Sequence, residues 1–169
     1  YYMKSLNIMQ RFFFRRFIGS WKPVFIENMK QFSIICPNSM NVKKRVLKYL
    51  GENLYDKCMV MYVGFETKDF YYKKPEGFYL SASRLDALKR TEIIIEAFKI
   101  NRKKLVVVGT GPDEKKLVRI AEGYKNIEFI GNVTEGKLHE LYATCNATVI
   151  AAIDEDLGFV PLESHAAGK

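Results

Sequence analysis

Beyond residue 77 the chain alternates short apolar runs with longer amphipathic stretches. Residues 78–83, 105–108, 127–130 and 147–151 are the apolar runs, and their length and texture predict strands. Val106-Val107-Val108 is continuous and apolar, as a strand covered on both faces has to be. Between them, residues 89–100, 113–123, 135–144 and 158–167 predict helices. In the first of these, Ile93, Ile94, Ala97 and Phe98 recur at helical spacing and form one apolar stripe. Strand–helix units of this length imply right-handed crossovers and a parallel sheet. The predicted fold class over 77–169 is therefore α/β: a Rossmann-like parallel sheet with flanking helices.

The first part of the chain is less regular. Residues 2–17 predict an amphipathic helix, with Phe12-Phe13-Phe14 flanked by Arg11, Arg15 and Arg16. Its Phe face is expected to pack on another part of the fold or to touch a membrane surface, and Lys22-Pro23 is expected to end it. Residues 32–36 form a strand candidate. Pro37-Asn38-Ser39 is a turn that supplies a helix N-cap. Residues 42–50 then predict a helix with a basic face, stopped by Gly51. Residues 58–63 are a further apolar run, ended by Gly64. Residues 67–76 are polar and aromatic and predict a linker.

Composition narrows the function classes. The chain has 169 residues, 48% of them hydrophobic, so a packed core is feasible. It opens on Tyr1 and stops at Gly168-Lys169 within a helix-to-strand passage, so it reads as a fragment. No apolar run approaches the roughly 18 residues of a membrane span, and no secretion signal is visible. Cys36, Cys58 and Cys145 are far apart and lie in or beside apolar stretches. They are expected to be buried free thiols of a protein in a reducing compartment. Two histidines, His139 and His165, exclude a His-rich metal site. The net charge of +8 favours anionic partners such as nucleotide phosphates or anionic lipid. No basic stripe interleaved with aromatics and no nucleic-acid motif is present, so nucleic acid is not an expected partner.

Ligands of open parallel sheets bind beyond the carboxyl ends of the strands. Four loops fall there. Arg84 ends the first strand and Lys89 opens the first helix, which would bring two cations to one crevice suited to a diphosphate. The plain structural alternative pairs Arg84 with a carboxylate and leaves Lys89 in solvent. Gly109-Thr110-Gly111-Pro112-Asp113-Glu114 resembles a phosphate loop, but Glu114 stands where the dinucleotide fingerprint has its third glycine, so a tight turn is the better reading. In Gly131-Asn132-Val133-Thr134 a strand runs into a helix capped by Thr134, and backbone groups there could read a base edge. In the fourth loop Asp154-Glu155-Asp156 leaves a strand and Gly158 permits a close approach. The N–H groups of Gly158, Phe159 and Val160 would make an anion site at a helix start. Glu163, one turn inside, could accept from ribose hydroxyls, and Glu155 from a sugar.

Ser83-Arg84-Leu85 with Lys89-Arg90, Gly109-Thr110-Gly111-Pro112, Phe129-Ile130-Gly131 and Glu155-Asp156-Leu157-Gly158-Phe159-Val160-Pro161-Leu162-Glu163, in that order, resemble the C-terminal domain of retaining glycosyltransferases of family 4. The last segment matches that family's Glu-x7-Glu motif, with Leu157 where an aromatic is common. Within the family the mannosyltransferase-like group is most similar. The resemblance implies a two-domain GT-B architecture. Residues 1–66 would be the end of the N-terminal acceptor domain and the interdomain crossing, 67–76 a linker, and 77–169 a truncated nucleotide-sugar-binding domain. It also implies roles. Arg84 and Lys89 would hold the donor diphosphate, Glu155 the transferred sugar, Glu163 the ribose, and the backbone near Gly131, Asn132 and Val133 the base.

The activity so implied is transfer of a hexosyl group, mannosyl or related, from a GDP- or UDP-linked sugar to a carbohydrate or lipid-linked acceptor, with retention. Neither a cofactor nor a metal is expected, because an anion-binding helix start follows Asp154-Glu155-Asp156 directly. The expected location is cytoplasmic, with the inner face of the membrane as a place of peripheral contact. The fragment alone is expected to be inactive. A sugar-nucleotide epimerase or hydrolase of the same fold, and a non-enzymatic basic module for anionic membrane, are the alternatives.

Overall fold

The structure is a computed structural model that describes residues 6–169. The chain divides into two compact units, one up to Gly64 and one from Phe65 to Lys169.

In the first unit, helix α1 spans Ile8–Lys30 and is opened by a capping box between Asn7 and Gln10. The part of the predicted helix before residue 6 lies outside the described residues. The helix does not stop at Lys22-Pro23: Pro23 sits inside it. Proline removes a single ladder donor, the one that would reach the Gly19 carbonyl, and the turns on either side continue. The predicted Phe face is not segregated either. Successive helical residues are about 100° apart, so Phe12, Phe13 and Phe14 fan over more than half of the circumference. No residue of α1 is buried, and Phe12, Phe13 and Phe17 are each about 60% exposed.

Helix α2, Met40–Leu50, begins one turn after Pro37 with Ser39 as N-cap, and Gly51 ends it at φ 100°. Helix α3 is the short Glu52–Tyr55. The predicted strands 32–36 and 58–63 shrink to an isolated parallel bridge between Ile35 and Cys58. Side chains alternate along that extended segment, turning Ile35 inward and Cys36 outward. Cys36 is thus exposed, against expectation, while Cys58 and Cys145 are buried and all three are free. Burial raises the Cys58 and Cys145 thiol pKa values, which keeps both protonated and inert. Ser39 is buried, and its hydroxyl accepts the Val42 N–H at 3.2 Å. Ser39→Ala is expected to cost about 1 kcal/mol of stability, measured by urea denaturation followed by helix circular dichroism.

The second unit holds four parallel strands in the order β3-β2-β1-β4. The strands are β1 Phe78–Ala82, β2 Lys104–Val108, β3 Ile127–Gly131 and β4 Ala147–Thr148. The helices are α4 Thr91–Asn101, α5 Glu114–Ile120, α6 Glu135–Thr144 and α7 Phe159–Ala166. The α/β class and the parallel sheet with flanking helices are as predicted. β4 is shorter than expected because the chain leaves the sheet edge after one further ladder bond, from Val149 N–H to the Leu80 carbonyl at 2.8 Å.

Period-two alternation sorts the core. Phe78, Leu80, Ala82, Val106 and Val108 face one side, against Leu141, Tyr142 and Cys145 of the α6 region and Ala167 after α7. Leu105, Val107 and Ile127 face the other, against Ile94, Ile95 and Phe98 of α4 and Leu117 of α5. Strands β1 and β2 are covered on both faces, which accounts for their unbroken apolar text. The stretch read as a linker runs along α6. The backbone N–H groups of Lys73 and Glu76 donate to the Ala143 and Thr144 carbonyls at 3.1 and 2.8 Å. Phe70 packs on His139 and Tyr142.

Candidate functional site

Backbone hydrogen bonds stitch three loops together beyond the carboxyl ends of β1, β2 and β3. Ser83 N–H donates to the Val108 carbonyl at 3.1 Å and Leu85 N–H to that of Thr110 at 3.0 Å. Asp113 N–H returns to the Leu85 carbonyl at 3.0 Å, and Gly109 N–H reaches the Gly131 carbonyl at 2.8 Å. Two glycines permit this approach. A Cβ at Gly109 would collide with the Ser83 carbonyl oxygen, and one at Gly111 with that of Leu85. The Gly-Thr-Gly text thus records close backbone packing, as the tight-turn reading holds, and the same loop also walls a cavity.

That cavity has a volume of ≈ 620 Å³ and is lined by Arg84, Gly109, Thr110, Gly111, Asn132, Val133, Tyr142 and Glu163, among others. The Arg84 side chain is 72% exposed, with Nε 3.7 Å from Asp86 Oδ2. An ion pair that long and that exposed holds the guanidinium weakly, so a ligand can recruit it. The Thr110 hydroxyl donates to Asn132 Oδ1 at 3.4 Å. Gly131, at φ 66°, stands behind the wall and bonds to Gly109 rather than lining the space. Glu163 projects from α7 and accepts from the Tyr142 hydroxyl at 2.6 Å.

A second cavity of ≈ 310 Å³ is lined by Lys89, Glu155, Leu157, Gly158, Phe159 and Val160, among others. Lys89 Nζ lies 2.8 Å from Glu155 Oε2, with the two side chains 30% and 39% exposed. Lys89 belongs to the turn before α4, not to the helix. The Asp86 carboxylate accepts the Leu88 and Lys89 N–H groups at 3.0 and 3.3 Å. Ile153 N–H then bonds the Leu88 carbonyl at 3.0 Å, tying this turn to the loop that carries Glu155. Helix α7 starts beside them. Gly158 is left-handed at φ 78°, and the first-turn N–H groups that follow have no intrahelical acceptor.

The two cavities adjoin, since Ala82, Ser83 and Val160 line both. The single crevice expected for Arg84 and Lys89 is therefore two neighbouring depressions. Arg84 stays beside the glycine loop, whereas the Asp86 turn and the Ile153–Leu88 bond draw Lys89 towards β4. Arg84, Asn132, Val133 and Glu163 share one depression; Lys89, Glu155, Gly158 and Phe159 share the other; Val160 belongs to both. Among the described residues no group of three or more His, Cys, Asp or Glu side chains is placed to hold a metal.

Sequence reasoning passed over Tyr142. The text gave a signal: a tyrosine at the centre of the apolar stripe Leu138, Leu141, Tyr142, Cys145 has a hydroxyl that must find a partner once buried. Burial, then the bond to Glu163, pushes the Tyr142 phenol pKa far up, so the group is a permanent donor.

Comparison with known proteins gives this arrangement its setting. An uncharacterised glycosyltransferase of Methanocaldococcus jannaschii is 25% identical over 138 residues, which are 80% of this chain and 38% of that protein. This chain thus spans well under half the length of that relative. Among solved structures, a TarM variant of S. aureus in complex with fondaparinux, α-GlcNAc-glycerol and UDP superposes with a TM-score of 0.72 at 15% identity, over 86% of this chain and 30% of that one. HepE of Anabaena in complex with UDP and glucose gives 0.71 at 18% identity, over 88% and 46%. At such identities the likeness shows the fold, which is that of GT-B glycosyltransferases. Residues 65–169 match the model of the family described as glycosyl transferases group 1. That is more than half of the chain, and the chain belongs to this family.

Proposed function

We propose that the second unit is the donor-binding part of a retaining glycosyltransferase of the family 4 kind, moving a hexosyl group from a nucleoside diphosphate sugar. The observation that carries the reading is the pair of adjoining depressions at the carboxyl edge of the sheet, each with one cation and one carboxylate. A nucleoside diphosphate sugar needs such a division. The nucleoside would lie in the first depression, with its base at the Asn132–Val133 backbone and its ribose at Glu163. The diphosphate would bridge Arg84, Lys89 and the start of α7. The transferred sugar would lie by Glu155 in the second depression. The proposed donor is GDP- or UDP-linked, and the UDP in the complexes of TarM and HepE supports a nucleoside diphosphate as its carrier. Mannosyl transfer and a carbohydrate or lipid-linked acceptor are the proposed specificity. We assign residues 1–66 to the acceptor domain and the interdomain crossing, with 67–76 as the stretch that leads from them onto α6 of the donor domain. No helix among the described residues is long and apolar enough to cross a membrane. Peripheral contact with an anionic surface at the cytoplasmic face, through Arg11, Arg15 and Arg16, is part of the same proposal.

Membership of a transferase family weighs against the epimerase, hydrolase and non-enzymatic readings. Thermal melting of the chain with UDP, GDP or heparin separates them further. A nucleotide-selective rise of several degrees is expected, as ligands that bind only the folded state stabilise it by mass action. A rise with heparin alone would sink the donor-site reading.

A further inference from the structure

We propose that Tyr142 is the positioning residue of the donor site, holding the Glu163 carboxylate in the one rotamer from which it meets a ribose. The inference rests on the donor-site reading given above and adds a residue to it.

Glu163 sits on α7 with a half-buried side chain, and a glutamate has three rotatable bonds to fix. Tyr142 sits on α6, fully buried, with its ring against Phe70. The backbone at Tyr142 and directly after it is held in place. Lys73 and Glu76 bond the carbonyls of Ala143 and Thr144, and the Cys145 thiol donates to the Tyr142 carbonyl at 3.4 Å. The phenol is therefore a rigid donor, and its 2.6 Å bond engages Glu163 Oε2. That leaves Oε1 outside the bond to Tyr142, in a side chain that lines the first depression. A carboxylate held at one oxygen offers the other as a directed acceptor for a vicinal diol. Burial and the bond to Glu163 push the phenol pKa far up, so Tyr142 stays protonated and remains the donor in this bond. A bond whose only use was to tie α6 to α7 would not need its acceptor to be a side chain that lines a cavity.

The experiment is calorimetric titration of the chain with UDP and GDP, each against its 2′,3′-dideoxy form. The wild-type chain is expected to prefer the ribose form by about tenfold, the range of a hydrogen bond to a charged group. Tyr142→Phe is expected to remove most of that preference while leaving affinity for the dideoxy form unchanged. Glu163→Gln in the Tyr142→Phe background should add little, since the two residues act as one unit. A wild-type chain that does not distinguish ribose from dideoxyribose overturns the donor-site reading itself. A wild-type chain that does, with Tyr142→Phe discriminating equally well, overturns only the role of Tyr142. The wild-type protein supplies a second readout should the variant fail to fold. The buried Tyr142 hydroxyl proton, observed by NMR, is expected to stay hydrogen-bonded when the preferred nucleotide binds. Its release on binding would show that Glu163 leaves Tyr142 to reach the ligand, and the proposal would fall.

Discussion

Gly109→Ala is expected to destabilise the second unit by more than about 3 kcal/mol, the range reserved for overpacking and backbone strain at a fixed site. Two independent penalties add. The residue has φ 115°, where an L side chain is strained whatever the space around it. The new Cβ would also run into the Ser83 carbonyl, a backbone group that cannot rotate away. Relieving the clash means separating the loops after β1 and β2, and with them the 2.8 Å bond from Gly109 to Gly131 and the 3.0 Å bond from Leu85 to Thr110. Gly111→Ala meets the Leu85 backbone in the same way but without a positive φ, so it should cost somewhat less. Two further glycines calibrate the series. Gly123 has φ 82° with open space around it, and alanine there should cost about 1 kcal/mol through strain alone. Gly136 lies in α6 with neither constraint, and alanine there should stabilise by about 0.5–1 kcal/mol. Urea titration of the four variants gives the order. Wild-type stability in Gly109→Ala would mean that the loops are not packed as described.

That series also marks where sequence reading stops. Periodicity located the four strands and four helices of the second unit, because each face of β1 and β2 packs on helices and the text is forced to be apolar. The helix of 135–144 was legible to the residue, since Thr134 caps it and accepts from Lys137 N–H at 3.4 Å. The start of α4 was not. Arg90 is left-handed at φ 52°, a conformation that no arginine announces, and the Asp86 side chain builds the turn before it. Residues 32–36 and 58–63 have strand text but pair only at one bridge, because pairing depends on neighbours that periodicity does not name. Phe12-Phe13-Phe14 misled for a different reason: contiguity in sequence is not contiguity on a helix. At the candidate site, the loops that wall the two cavities could be named from the sequence. Their division between two depressions could not, since it follows from the Ile153–Leu88 bond, a contact between residues 65 positions apart.

Arg84→Ala and Lys89→Ala are expected to lower turnover about a hundredfold or more in a transferase that contains this chain, roughly 3 kcal/mol each, while Glu163→Gln raises the donor KM with little change in kcat. The distinction follows from where charge moves. As the glycosidic bond breaks, the leaving diphosphate gains negative charge, so contacts to it strengthen towards the transition state and their loss appears in kcat. The ribose hydroxyls keep their charge throughout, so on the proposed assignment their contact to Glu163 would be uniform binding and its loss would appear in KM. The structure orders the two cations. Lys89 is the less exposed and sits 2.8 Å from Glu155, whereas Arg84 is 72% exposed with its nearest carboxylate oxygen at 3.7 Å. Removing Lys89 also takes away the cation 2.8 Å from the Glu155 carboxylate, which leaves more negative charge facing the incoming diphosphate and adds like-charge repulsion to the lost attraction. Lys89→Ala should therefore be the more damaging of the two, and Lys89→Ala with Glu155→Gln should recover donor binding but not turnover, because the cation that meets the developing charge is still absent. Steady-state kinetics with varied donor decide the matter. If Glu163→Gln lowers kcat at saturating donor as far as Arg84→Ala does, the division of roles is wrong. Full activity in both cationic variants would remove the diphosphate from this site.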